Sequence, residues 1–435
     1  MMAKTNSTEL SPEERLQQAL VPEEERPYEL PEGWKWVRIG DINCYQGTSV
    51  TPAANKEKLF ELYSVPSFDG NYPEIIKGKD IGSSKQTVEV GDVLLCKINP
   101  RINRVWYVSG YTENELIASS EWIVIRNHGI ESRYLMYCLR SQYFRQLLLS
   151  NVSGVGGSLM RAQPKFVKNY PIPIAPYYVQ VQIADFIDKE FARLDKAQEQ
   201  IQSVIDSEEE RKQSILHKAF TGELTKKWRL ERNINLMSWK HMTLKEACNG
   251  LKYGTASKSV KEGNVAVIRM GNLQGGEIDW TNLVYSDNDA DNAKYHLDPG
   301  AVLFNRTNSP ELVGKTAIYR GEQPAIYAGY LIKLDYKEFL DGEFLNYIMN
   351  SPEEKYYCNM VKSDGVNQSN ISAAKIGEFE IPVPSLDEQH EITRLLDRYF
   401  NAERALRQSC SLAFDQIIAS RQSILSKDFS GALFK

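Results

Sequence analysis

Hydrophobic positions recur at helical spacing in two long stretches of the chain. In the later stretch, Ile392, Leu396, Tyr399, Leu406, Cys410, Ala413, Ile417 and Ile424 lie on one heptad seam, interrupted by Glu403 and Ser420. In the earlier one, Ile183, Ile187, Leu194, Ala197, Ile201, Val204 and Ile215 hold the matching positions, interrupted by Glu190, Glu208 and Arg211. Roughly five heptads with charged flanks predict two long coiled-coil helices. Pro173 and Pro176 precede the first helix, Pro382 and Pro384 the second, and Gly222 and Gly431 mark their ends. The remaining segments alternate differently. TVEVGDVLLCKI, EWIVIR, NVAVIRM, GAVLFNR and YLIKLDY read as short strands separated by glycine, asparagine and aspartate turns. SRYLMYCLRSQYFRQLLLS and GEFLNYIMNSPEEKYYCNMV read as helical.

The two stretches are copies of one another. QSILHKAFTGEL, Gln213 to Leu224, returns as QSILSKDFSGAL, Gln422 to Leu433, with eight of twelve positions identical at a shift of 209 residues. The shift holds upstream: Ile172 and Pro173 match Ile381 and Pro382, and Gln180, Ile183, Asp188 and Phe191 match Gln389, Ile392, Asp397 and Phe400. No insertion is needed from about residue 152 to 224. A packed helix has that property, because one extra residue turns everything after it by about 100°. Further upstream the match loosens. Trp34 and Lys35 resemble Trp239 and Lys240, Gln46-Gly47-Thr48 resembles Tyr253-Gly254-Thr255, and Gly91 resembles Gly300. The order is therefore variable globule, helix, variable globule, helix. Such a chain reads as a fused dimer with a pseudo-twofold, its globules at opposite ends if the helices pair antiparallel.

A length of 435 residues suggests two or three domains. Charged residues at 25% and hydrophobic ones at 42% fit a soluble globular protein. No apolar run approaches the roughly 18 residues that span a bilayer, and no basic-then-apolar leader opens the chain. Instead Glu9, Glu13, Glu14, Glu23, Glu24, Glu25, Glu29 and Glu32 crowd the start, predicting a solvated, partly helical acidic arm. Cys44, Cys96, Cys138, Cys248, Cys358 and Cys410 are too scattered for a disulfide framework or a zinc ribbon. A reduced cytoplasm and no metal site follow. The net charge of −5 argues against a uniformly basic coat for nucleic acid, though not against local basic patches.

Catalytic motifs reduce to near misses. SPELVGKT ends like a phosphate loop, but Ser309 stands where glycine is required and Pro310 stiffens the turn. DNDADNAKYHLD spaces aspartates like a calcium loop, but Asn292 replaces the sixth-position glycine and Pro299-Gly300 follows, so an acidic turn is expected. SGVGGS lacks the third glycine and a leading strand. No asparagine–proline–proline–aromatic motif occurs, and no nucleophile–histidine–carboxylate group can be assembled by spacing.

Basic and amide-rich loops are present instead. KINPRINR offers Lys97, Asn99, Arg101, Asn103 and Arg104; its counterpart NRTNSPELVGK offers Arg306, Asn308 and Lys315. GVGGSLMRAQPK offers Ser158, Arg161, Gln163 and Lys165; its counterpart DGVNQSNISAAK offers Asn367, Gln368, Ser369 and Asn370. Gln46 in the first half and Tyr253, Thr255 and Lys258 in the second complete the candidate DNA-binding set. Arginine can read guanine bidentately, and asparagine or glutamine can read adenine.

These features together resemble the type I restriction–modification specificity subunits, over residues 30 to 435. The motifs that carry the resemblance are LPEGWKWVRIGDI, GDVLLCKINPR, GAVLFNRTNS, the tails YPIPIAP and FEIPVPS, and the doubled helix end SILHKAFTGEL and SILSKDFSGAL. The resemblance implies an α+β fold: two α/β target recognition domains separated by two long antiparallel coiled-coil helices with a pseudo-twofold internal repeat. It divides the chain into an acidic arm (1–29), a first recognition domain (30–176), a first helix (177–222), a linker (223–237), a second recognition domain (238–385) and a second helix (386–435). It further implies a non-catalytic cytoplasmic subunit that binds double-stranded DNA, each domain reading half of a split target. Two methylation subunits would dock on the helices and hold S-adenosylmethionine, this chain binding no cofactor, and restriction subunits would join them. The acidic arm is not required by the family pattern. The rival expectations are a scaffold or decoy that keeps the helices but no longer reads DNA, and an enzyme with an unrecognised site.

Overall fold

The computed structural model describes residues 16–127, 129–153, 160–366 and 368–429. The chain forms two compact units: one joins the residues up to Ile201 with those from Leu412 onward, and the other comprises Gln202–Ser411.

In the first unit, strand Lys35–Arg38 pairs antiparallel with Pro171–Ile174, setting Trp36 opposite Pro173. Buried Val37, Ile172 and Ile174 from this pair join a core with Tyr134, Leu135, Phe144, Ile183 and Ile187. Leu425 and Phe429, from the end of the last helix, complete that core. Strand Val93–Cys96 lies between Val105–Tyr107 and Trp122–Ile125, and a five-stranded mixed sheet stands beside it. The helical segment after these strands is two helices, Ser132–Arg140 and Gln142–Ser150, divided at Ser141, whose hydroxyl caps the second by accepting from Phe144 N.

The later part of the acidic arm is not a solvated tail. Ala19 and Val21 are buried, Val21 N donates to Trp36 O at 2.9 Å, and Trp36 Nε1 donates to Tyr28 O at 3.0 Å. The few apolar residues among the glutamates fasten residues 16–29 to the first strand, and Tyr28 Oη donates to Phe429 O at 3.1 Å. Residues 1–15 lie outside the described residues.

In the second unit, Lys240–Thr243 pairs antiparallel with Glu380–Val383. A four-stranded sheet contains Cys248–Tyr253, Leu331–Tyr336, Val302–Asn305 and Thr316–Ile318 in that order. Helices Gly342–Ile348 and Pro352–Val361 follow, and the second is again capped by a serine, Ser351. The expected acidic turn is a short helix, Asp289–Lys294, because Asn288 Oδ1 accepts from the amides of Ala290 and Asp291 and starts a helical turn.

Both units use the same side-chain latches where a long helix leaves its globule. Gln180 Oε1 accepts from Glu131 N and its Nε2 donates to Ala175 O, both at 2.8 Å. Gln389 Oε1 accepts from Asp341 N at 2.8 Å and its Nε2 donates to Pro384 O at 2.9 Å. Tyr137 donates to Asp188, and Tyr347 to Asp397. An inserted residue between globule and helix would break these latches together, which accounts for the gap-free repeat.

The second long helix is continuous over Leu386–Phe429. The first, expected as one helix over 177–222, is broken: Tyr177–Asp206 is followed by Glu208–Phe220. The Ser207 hydroxyl donates to the carbonyls of Ser203 and Val204, competing with the helix's own amides, and Glu208, Glu209 and Glu210 favour a fresh N-terminus. Gly222, at φ +78°, follows the end of the second piece; Gly431 lies outside the described residues. In the second unit Glu208 pairs with Arg407 and Arg211 with Glu403, so the segments there run antiparallel. In the first unit Arg421 pairs with Asp195 and stacks 5.2 Å from the Phe191 ring centre. Of the expected seam, Leu406 and Ser420 are exposed.

The linker after Gly222 is ordered around a buried ion pair. Helix Lys226–Glu231 aims Arg229 Nη1 at Glu388 Oε1, 2.5 Å away. Thr225 Oγ1 donates to the same oxygen at 2.7 Å, and Trp239 Nε1 donates to Glu388 Oε2 at 2.9 Å.

A candidate nucleic-acid interface

The basic loops of the second unit converge on a small sheet. Thr307–Asn308 pairs with Ser369–Asn370, which pairs with Ser363–Asp364. Arg306 precedes the first strand. Its guanidinium carbon lies 4.8 Å from the Tyr253 ring centre, a cation–π distance, and its Nη2 donates to Asn370 Oδ1 at 3.1 Å. Asn370 Nδ2 in turn donates to Thr307 Oγ1 at 2.8 Å, and Tyr253 Oη accepts from Ala373 N at 3.0 Å. Backbone bonds clamp the arginine from both sides: Arg306 N to Tyr330 O at 3.1 Å and Ile371 N to Arg306 O at 2.8 Å. Five of the expected residues thus meet here: Tyr253, Arg306, Asn308, Ser369 and Asn370.

The turn below this sheet has no room to drift. Gly314 is at φ +95°, and a Cβ there would lie 3.1 Å from Cys358 Sγ and 3.3 Å from Glu354 Oε1. Burial pushes the Glu354 carboxyl up to about 8, and the Cys358 thiol donates to it at 2.7 Å.

The first unit brings its loops together by the same backbone bonds. Ile98 bridges Arg161 as Thr307 pairs with Asn370. Ala162 N donates to Lys97 O at 2.8 Å as Ile371 N does to Arg306 O, and Asn99 N donates to Met160 O at 2.9 Å. Each member of one set lies 209 residues from its counterpart. Asn99 and Asn103 take left-handed conformations, φ +46° and +53°, and so turn the loop tightly. Arg101 is exposed, and its carbonyl accepts from Arg145 Nη2 at 2.5 Å.

Not every expected residue presents itself. Thr255 is 6% exposed, and its hydroxyl donates to Asp291, so it braces a turn and offers no free group. The Arg104 side chain is 15% exposed with its Nε 3.8 Å from Asp69 Oδ1, which holds it against the globule. Arg161 is exposed but paired with Glu121 at 2.7 Å. Lys315 Nζ donates to Gln274 Oε1 at 2.9 Å, and Lys165 Nζ lies 4.8 Å from the Phe166 ring centre. Gln46, Lys258 and Gln368 are exposed, and Lys97 is half-buried. Ser158 and Asn367 lie outside the described residues. Tyr330, 52% exposed beside Arg306, belongs to this surface but was not expected, because it opens YLIKLDY and reads there as a strand residue.

A family model described as the type I restriction modification DNA specificity domain matches residues 31–206 and again 237–409. The chain belongs to this family. Its two specificity domains correspond to the two sets of converging loops. Relatives within the family include the type I restriction enzyme StySPI specificity subunit of Salmonella potsdam, 25% identical over 316 residues, which are 70% of this chain and 66% of that subunit. The EcoKI specificity subunit of Escherichia coli (strain K12) is 24% identical over 310 residues, again 70% and 66%. The matched region thus spans just under two thirds of those relatives. The MjaVIII specificity subunit of Methanocaldococcus jannaschii is 24% identical over 430 residues, 93% of this chain and 94% of that one. Two solved structures share the fold. A chain from a study of assembly and conformational transition of the type I R-M system has TM-score 0.71 at 21% identity, covering 93% of this chain and 100% of its own. The HsdS subunit from Thermoanaerobacter tengcongensis has TM-score 0.63 at 21% identity, covering 94% and 99%. Among the described residues no helix is long and apolar enough to cross a membrane, and no cluster of histidine, cysteine and acidic side chains could hold a metal ion.

Proposed function

We propose that the chain is the DNA-reading, non-catalytic subunit of a cytoplasmic type I restriction–modification complex. Each specificity domain reads one half of a bipartite target on double-stranded DNA. The two long helices form the antiparallel coiled coil of a pseudo-twofold molecule, set the spacer between the half-targets and dock two methylation subunits. Those subunits would bind S-adenosylmethionine, and restriction subunits would complete the complex.

The observation that carries this reading is the repeated set of backbone bonds, which joins two basic, amide-rich loops in each unit in the same way. Different side chains on the same frame are what two readers of different sequences require. In the second unit the frame also fixes an arginine on an aromatic ring before any DNA arrives, which lowers the entropy cost of ordering it on binding. An overall negative chain can serve, because partner subunits would supply part of the phosphate contact.

The test is a gel-shift assay of the chain assembled with its methylation subunits, on duplexes that carry or lack the host's methylated sequence. The expected outcome is retention of the cognate duplex at salt that releases the other. Assembly without discrimination between the two duplexes would favour a scaffold that no longer reads DNA.

A further inference from the structure

A chain that writes one helix twice has a choice of partner. Helices sharing a heptad register can pair unlike within one chain or like with like between two copies. We propose that the ion pair between Arg211 and Glu403 makes this choice, favouring the first helix with the second over either helix with its own kind. The inference concerns how the chain assembles and does not depend on its reading DNA.

Both residues occupy positions where the heptad pattern places apolar side chains, and each taken alone is a defect in its helix. Together they form a fork: Arg211 Nε to Glu403 Oε1 at 3.0 Å and Nη2 to Oε2 at 2.9 Å. Arg211 is also oriented from its own side. Its Nη1 donates to Val204 O at 2.9 Å and to Ser207 Oγ at 2.6 Å, across the break in the first helix.

The repeat does not preserve this pair. At the shift of 209 residues, Ser420 stands where Arg211 does and Leu194 stands where Glu403 does. In an antiparallel pair of two first helices, each Arg211 would face a Leu194. In a pair of two second helices, each Glu403 would face a Ser420. Each like pairing leaves both copies of one of these two charges without an opposite partner, whereas the unlike pairing matches Arg211 with Glu403. A slip of one heptad fails similarly, since it sets Arg211 against Leu396 or Cys410. A charge left without its partner in a half-buried seam is disfavoured, and this is the attested way a polar seam residue selects register and partner. Glu208 and Arg407, 3.1 Å apart, act in the same sense, because Ile417 and Gln198 hold their equivalent positions. The pair of Asp195 with Arg421 does not discriminate against two first helices, since Lys212 stands where Arg421 does.

The test uses full-length chains carrying two different affinity tags, expressed together. Arg211→Glu alone and Glu403→Arg alone each set like charges against one another within the chain. When the two variants share a cell, exchange of helices between them restores both ion pairs. The expected result is co-purification of Arg211→Glu with Glu403→Arg at least about tenfold above wild type with wild type, with the double variant Arg211→Glu/Glu403→Arg returning to the wild-type level. If the single variants are insoluble alone, recovery of soluble protein on co-expression is the same result. Co-purification no greater than wild type, or no recovery of solubility, would overturn the proposal.

Discussion

Glu388→Ala is expected to destabilise the second unit by about 3–5 kcal/mol, the largest loss from any single side chain in this account. The Glu388 side chain is 1% exposed and the Arg229 side chain 6%. Removing the carboxylate strands a buried guanidinium, and it also strands the Trp239 indole and the Thr225 hydroxyl that donate to it. The loss would extend beyond one contact, because Arg229 also donates to the carbonyl of Gly222, where the first helix ends. Glu388→Gln keeps acceptor capacity and should cost less. The double variant Glu388→Ala/Arg229→Ala should cost less than the two single losses added, since the second substitution removes the charge the first one strands. Urea unfolding followed by circular dichroism gives the comparison. A loss below about 1 kcal/mol for Glu388→Ala would mean that water reaches the pair and that the linker is not fastened there.

Arg306→Ala is expected to weaken specific DNA binding by about 1–3 kcal/mol, roughly 5–150-fold, and to relax one base position in one half-target. The reason is geometric. Arg306 is stacked on Tyr253 and held by Asn370, so its planar donors are aimed before binding. Tyr253→Ala and Asn370→Ala should produce the same relaxation more weakly, because they release the arginine without removing it. Selection from a randomised half-site distinguishes the roles. A loss uniform over all sequences would make Arg306 a phosphate contact.

Much of the architecture is legible in the chain because it is periodic or repeated. The heptad seam, the strand segments around Val93–Cys96 and Val302–Asn305, and the helical character of the segments that follow them all have local signals, though not the division of each such segment into two helices. What is not legible depends on contacts between residues distant in sequence. Arg211 and Glu403 read singly as flaws in two helices, and only packing shows that each corrects the other. Arg229 lies in a stretch with no strand pattern, and its burial follows from Glu388, far along the chain. The arm reads as solvated because glutamates outnumber the few apolar residues that fasten it. The candidate surface divides on the same line. Arg306, Asn308 and Asn370 follow from composition and repeat, whereas Thr255 and Arg104 have the right chemistry but are claimed by Asp291 and Asp69.

The central claim is that the two specificity domains read separate halves of one target. The direct measurement replaces residues 30–170 with those of a relative of different specificity and maps methylated adenines across the host genome. The account predicts a new sequence in one half-target, with the other half and the spacer between them unchanged. A change in both half-targets would contradict it.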